Sequence, residues 1–321
     1  MVIHVLDLAA IGELLIDFTP SGVSNQGNPL FECNPGGAPA NVLVALTRLG
    51  GTGAFIGKVG SDTFGRFLAD TLKSNGINNK GLRFDQEVNT TLAFVHLSST
   101  GDRSFSFYRD PGADMMLSFE EVDRDIIKEA EAFHFGSVSM THEPSRTATL
   151  ESARLARQLG KTISYDPNLR PALWSSLEEA RDVIVKGLEY ADILKISEEE
   201  LVFLTGETDL KKGAERLADI YRGRILLVTL GPDGCFYGMD GRFDRLPTYD
   251  VKTIDTTGAG DAFLGGFLYR IRPYFGRLQD LTFEELRGAV DFANAVGSLA
   301  TTRKGAIPAM PGLNEVMELV E

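Results

Sequence analysis

The most constraining feature of this chain is a repeated alternation. Short, nearly unbroken apolar runs rich in β-branched residues exchange with longer segments of helical periodicity. Val5–Ile11, Ala54–Val59, Phe133–Ser137, Thr162–Asp166, Ile193–Ile196 and Ile225–Leu230 read as strands. Pro39–Leu49, Ser61–Ser74, Ser145–Leu159, Leu177–Glu189 and Lys211–Tyr221 read as helices, several ended by a glycine such as Gly50, Gly76 or Gly160. Ser118-Phe119-Glu120-Glu121 has the form of a capping box and predicts a further helix to about Glu131. Strands that are apolar along their length are buried on both faces, so the pattern predicts an α/β fold with a mostly parallel sheet flanked by helices.

Two stretches have another texture. Leu92–Ser98 and Ser104–Arg109 read as strands flanking a turn at Thr100-Gly101-Asp102-Arg103, with Phe105 and Phe107 on one face. Glu13–Cys33 is also strand-and-turn in character. The expected organisation is a single domain over 1–321, with a small β-sheet lid formed by about 13–33 and 92–110.

Ligands of open parallel sheets bind beyond the carboxyl ends of the strands. Polar clusters fall there: Asp166-Pro167-Asn168, Ser197-Glu198-Glu199-Glu200, Thr229-Leu230-Gly231 and Asp255-Thr256-Thr257. The last opens Asp255-Thr256-Thr257-Gly258-Ala259-Gly260-Asp261-Ala262-Phe263, read as following a strand and starting a helix. Gly258 and Gly260 turn backbone N–H groups outward at a helix N-terminus, which makes an anion site. Asp261 beside that site would repel a resting phosphate, but suits a base acting on a hydroxyl that attacks one. The same residues also read as a tight packing turn with an acidic first helical turn. A Rossmann fingerprint fails because Phe263 stands at the third glycine, and no complete Walker A loop is present. Gly265 and Gly266 predict close approach of a neighbouring element.

Composition narrows the partners. A formal charge of −13 disfavours nucleic acid and anionic membranes as partners. Two distant cysteines, Cys33 and Cys235, suit a reducing, cytoplasmic setting, and the four histidines show no metal spacing. Met1–Phe18 reads as a strand rather than a signal peptide.

The glycine loop resembles the C-terminal signature of the ribokinase (PfkB-type) family of sugar kinases. Gly36-Gly37-Ala38-Pro39-Ala40-Asn41, followed by Leu49-Gly50 and Gly57-Lys58-Val59-Gly60-Ser61-Asp62-Thr63-Phe64-Gly65, resemble its N-terminal signature, and the resemblance spans essentially the whole chain. Phe107–Met115, Ser164–Arg170 and Lys195–Leu201 look most like the fructokinases of that family. The resemblance implies transfer of the γ-phosphoryl group of Mg·ATP to the 6-hydroxyl of D-fructose. Asp261 would be the base and the amides of Gly258, Ala259, Gly260 and Asp261 the anion hole. A 2-keto-3-deoxygluconate kinase is the alternative within the family. A catalytically silent sugar- or nucleotide-binding regulator is the alternative outside it, and the intact loop argues against that.

The resemblance also assigns roles, each beside a plainer reading. Asp17, Gly37 and Asn41 would hold sugar hydroxyls; alone, Asp17 reads as a turn residue and Asn41 as a helix-start residue. Arg109 would face the sugar, or be a solvated edge charge. Asn168 and Arg170 would face phosphate or metal-bound water, or form a structural turn. Thr229, Gly231 and Gly234 would hold the nucleotide, or make a hairpin turn; Asn294 would line the adenine pocket. Ser197 stands where relatives carry a phosphate-facing asparagine. Glu200 would organise Mg²⁺-bound water. Asp255, Thr257 and the carbonyls of Ala300, Arg303 and Gly305 match a potassium site. A lid-to-lid homodimer is the implied assembly.

Overall fold

The computed structural model describes residues 6–97 and 103–321. Val5, Ser98, the expected turn at 100–102 and the side chain of Phe105 lie outside what is described. The strands are β1 (Leu6–Ile11), β2 (Leu15–Val23), β3 (Pro29–Gly36), β4 (Gly53–Gly60), β5 (Asn78–Asp85), β6 (Leu92–Leu97), β7 (Arg103–Tyr108), β8 (Ala130–Gly136), β9 (Thr162–Asp166), β10 (Ile193–Ser197), β11 (Ile225–Thr229), β12 (Cys235–Met239) and β13 (Arg242–Leu246).

Nine strands form the main sheet in the order β13-β12-β11-β10-β9-β8-β1-β4-β5. Its pairings are parallel from β11 to β5, and β12 and β13 close one end antiparallel. Alternate residues of β1 serve opposite faces, as the two-residue period requires. Leu8 and Ala10 join a core with Leu43, Phe267 and Val296, whereas Ala9 and Ile11 join a second core with Ile163 and Ile184. The helices of the two cores therefore cover both faces, as the continuous apolar strands predict.

A separate four-stranded sheet has the order β3-β2-β6-β7. It is built from the two stretches singled out by their texture. Val23 at the end of β2, Leu30 and Phe31 of β3 and Tyr108 of β7 are exposed.

Three expectations are corrected. The Ser118 capping box is real, with the Ser118 N–H donating to Glu121 at 2.9 Å, but it opens only a 3-10 turn over Phe119–Glu121. Val122 is extended and buried, and a new cap at Asp123 starts the helix Arg124–Glu129. The segment before Asp255 is not a strand. Its backbone bonds go to the end of the helix Phe283–Ala300 instead: the N–H groups of Ile254 and Asp255 donate to the Thr301 carbonyl at 2.7 and 3.1 Å. The helix expected over 211–221 is shorter, Leu210–Leu217.

The expectation for Gly265 and Gly266 holds. A Cβ on Gly265 would lie 2.5 Å from that of Ala45 in the helix Ala38–Arg48, and one on Gly266 2.7 Å from Val296. These glycines let the helix Ala259–Ile271 sit between Ala38–Arg48 and Phe283–Ala300. That packing brings the two ends of the sequence together at the carboxyl edge of the sheet.

Candidate active site

Gly12 and Glu13 follow β1, Asn168 follows β9, and Ser197 and Thr229 end β10 and β11. Above this edge lie two cavities. The larger, of about 630 Å³, is lined by Thr229, Gly231, Gly234, Asn294 and Ser298, among others. The smaller, of about 100 Å³, is lined by Asp17, Gly37, Asn41, Asn168, Arg170 and Asp261, with Leu15 and Phe107 of the small sheet and Val138 completing its wall. Sites for drug-sized ligands run to about 300–1,000 Å³, so only the larger has room for a nucleotide.

The glycine turn is the partition between them. Thr257, Gly258 and Asp261 face the small cavity, while Thr256, Ala259 and Gly260 face the large one. Gly258 adopts φ 74°, left-handed backbone that suits glycine, and a Cβ there would meet Ala306 at 2.7 Å. The Ala259 N–H donates to the Thr256 carbonyl at 3.2 Å, so that member of the expected anion hole is already engaged. The N–H groups of Gly258, Gly260 and Asp261 donate to no protein acceptor among the described residues. They are the open first-turn donors of the helix Ala259–Ile271, at its positive end.

Asp261 is buried and accepts from the Asn41 side-chain amide at 2.8 Å. Burial pushes its carboxyl up to about 6; Lys195 opposes this, Asp166 adds to it, and the Asn41 bond and Arg170 oppose it. Lys195, in turn, is buried and paired with Asp166 at 2.8 Å. A Cβ on Gly260 would lie 3.0 Å from the Lys195 ammonium, which places that cation directly behind the turn. Burial also raises Asp17 to about 6, with Arg170 opposing and Asp261 reinforcing the shift.

Several expected site residues are placed elsewhere. Arg109 is turned into the body rather than toward the small cavity: its guanidinium bonds Asp114 at 2.7 and 2.8 Å, Thr141 at 2.8 Å and the Val138 carbonyl at 3.1 Å. A buried guanidinium must be paired, and Asp114, five residues on, supplies the partner. The Ser197 hydroxyl caps its own helix by accepting from the Glu200 N–H at 3.2 Å, and Ser197 lines neither cavity. Both Glu200 oxygens accept backbone N–H groups, from Leu169 at 2.6 Å and Ser197 at 2.8 Å, and Glu200 also stands behind the cavity walls.

Of the expected potassium residues, Asp255, Thr257 and Gly305 are brought into contact. Asp255 accepts from the Gly305 N–H at 2.9 Å and from the Thr257 hydroxyl at 2.7 Å. Ala300 ends the helix Phe283–Ala300, where carbonyls lack helical partners. The chemistry of the expected set, one carboxylate, a hydroxyl and carbonyl oxygens, suits a hard monovalent cation.

Glu13 and Lys195 belong to the site, although no individual role follows for either from the sequence. A carboxylate inside the apolar run Ala9–Ile16 and a lysine inside the apolar strand Ile193–Ile196 were the available signals.

Comparison with known proteins fits this geometry. Residues 5–312 match the pfkB family carbohydrate kinase pattern. Fructokinase-1 of Zea mays is 47% identical over 98% of this chain and 97% of its own length. The solved structure of a fructokinase from Xylella fastidiosa with bound ATP superposes with a TM-score of 0.91 at 38% identity, covering 98% of both chains. A double mutant of a fructokinase from Vibrio cholerae O395, bound to fructose, ADP and potassium ion, gives a TM-score of 0.88 at 35% identity over 99% of both chains.

Proposed function

The chain belongs to the pfkB family of carbohydrate kinases, and on that premise we propose that it is an ATP-dependent fructokinase that phosphorylates the 6-hydroxyl of D-fructose. The observation that carries the reading is the glycine turn between the two cavities. It presents a carboxylate to one and open N–H donors beside it.

In this reading the sugar occupies the small cavity, with Asp17, Gly37 and Asn41 binding its hydroxyls and Asn168 and Arg170 flanking the transfer path. ATP enters the large cavity along Thr229, Gly231 and Gly234, with its base toward Asn294. Asp261 takes the proton of the attacking hydroxyl. The oxygen then bonds the γ-phosphorus, and ADP leaves. The amides of Gly258, Gly260 and Asp261 meet charge on the moving phosphoryl group, where positioning and neutralisation do most of the work. Magnesium arrives as part of the nucleotide substrate. Potassium, held by Asp255 and the carbonyls of Ala300, Arg303 and Gly305, would supply fixed positive charge behind the turn.

Leu15, Asp17 and Phe107 carry the small sheet into the cavity wall, which supports its action as a lid that excludes water. Its exposed Val23, Leu30, Phe31 and Tyr108 suit a second copy of the chain, giving a lid-to-lid homodimer. The free thiols of Cys33 and Cys235 suit a reducing, cytoplasmic setting. The keto-deoxygluconate alternative loses its main support, because Arg109 is already paired with Asp114 and is not offered to a substrate carboxylate.

An ADP-release assay over free sugars and 2-keto-3-deoxygluconate tests the proposal. Fructose should give the highest kcat/KM. Turnover confined to the keto-acid, or ATP binding with no turnover on any acceptor, would overturn it.

A further inference from the structure

Glu13 sits between β1 and β2, 4% exposed, and lines the small cavity beside Asp17, Asn41 and Asp261. Its two oxygens have different surroundings. Oε1 accepts the Ala38 N–H at 2.9 Å, the first donor of the helix Ala38–Arg48, whose cap residue Gly37 has no side chain to do so. Oε2 is buried with no hydrogen-bond partner, and the same is true of Asn41 Oδ1 in the same cavity. Buried polar atoms are rarely left unmatched, and such an orphan in a cavity wall marks a place where a ligand supplies the partner.

The missing partner must be a donor. The chain's own cation acting on Glu13, Arg109, is already taken by Asp114, so the partner must come from a ligand. A neutral hydroxyl fits, because it donates one hydrogen bond to the orphan oxygen in a cavity whose other polar groups, Asp17 and Asn41, suit a polyol. Burial pushes the Glu13 carboxyl up to about 7, and a donor on Oε2 would favour its ionised form.

Resting on the fructokinase reading, we infer that Glu13 is a further sugar-recognising residue, whose Oε2 accepts a hydrogen bond from a hydroxyl of the bound sugar while Oε1 holds the start of the helix that carries Asn41. One side chain thus couples sugar recognition to the placement of Asn41, and through Asn41 to Asp261.

The test is Glu13→Gln, which keeps an oxygen for the Ala38 N–H and replaces the other acceptor with a donor. Glu13→Asp, too short to serve both partners, is the second variant. Fructose KM should rise about tenfold or more in Glu13→Gln, while ATP KM and Tm stay near wild type. In a series of single-deoxy fructose analogues, the analogue lacking the matched hydroxyl should show no difference between wild type and variant. The inference is overturned if both variants keep the wild-type fructose KM. It is equally overturned if every analogue loses the same factor together with Tm, which is the mark of a purely structural role. Wild-type inactivity on fructose would instead remove the fructokinase reading itself.

Discussion

The side-chain amide of Asn41 donates to the Asp261 carboxylate across 2.8 Å, joining residues 220 positions apart in sequence. Asn41 closes the run Gly36–Asn41 near the N-terminus, and Asp261 follows the paired glycines of the C-terminal motif. The bond fixes one carboxylate oxygen and favours the ionised form of a group that burial otherwise pushes toward the acid. It explains why two motifs, separated by most of the chain, make one site.

Asn41→Ala should therefore move the acidic limb of the kcat profile upward. Asp261 acts as a base when ionised, so wild-type kcat should fall as pH drops through about 6. Loss of the Asn41 donor raises that carboxyl further and leaves less base at neutral pH. The check is kcat against pH for both proteins; coincident acidic limbs would contradict the role given to the bond.

Gly265→Ala should destabilise the fold by about 1–3 kcal/mol, because the new methyl would lie 2.5 Å from the Ala45 Cβ and 2.7 Å from the Val42 carbonyl. Thermal unfolding reads this directly. The same change should lower kcat, since it forces apart the two helices that carry Asn41 and Asp261.

Much of this was legible beforehand, for reasons that particular residues make plain. The strands of the main sheet are apolar on both faces, so runs such as Ile193–Ile196 announce themselves. Gly265 and Gly266 announced close packing because nothing else explains paired glycines inside an apolar helix. Pairings set by tertiary context were not legible. Arg109 has the look of an edge charge, and only the fold shows Asp114 and Thr141 closing around it. Ser118 carries a full capping box, yet the buried extended Val122 breaks the helix after one turn. Glu13 lies in a run that reads as strand, and its orphan oxygen exists only once the cavity is built.

Lys195→Met should be strongly destabilising. It removes the cation paired with Asp166 and leaves a buried carboxylate beside Glu200 and Asp261, a loss of about 3–5 kcal/mol for a broken buried pair. Denaturant unfolding at neutral pH measures it. Lys195→Met with Asp166→Asn should recover much of the stability; no recovery would contradict the pairing.

Asp261→Asn should raise Tm at alkaline pH. The native carboxyl sits near 6, above its ordinary value of 3.8, so its favourable protonated state is fully present below about 4 and lost as pH rises through 6. A neutral amide avoids that loss. The Tm advantage should be absent near pH 4 and reach a plateau above pH 7, measured by thermal scans without ligands.

The most direct measurement is the turnover of the same variant. With ATP and fructose saturating, Asp261→Asn should lose about 10²–10⁴-fold in kcat while binding both substrates nearly as wild type does. Near-normal turnover, with intact binding, would contradict the assignment of Asp261 as the base.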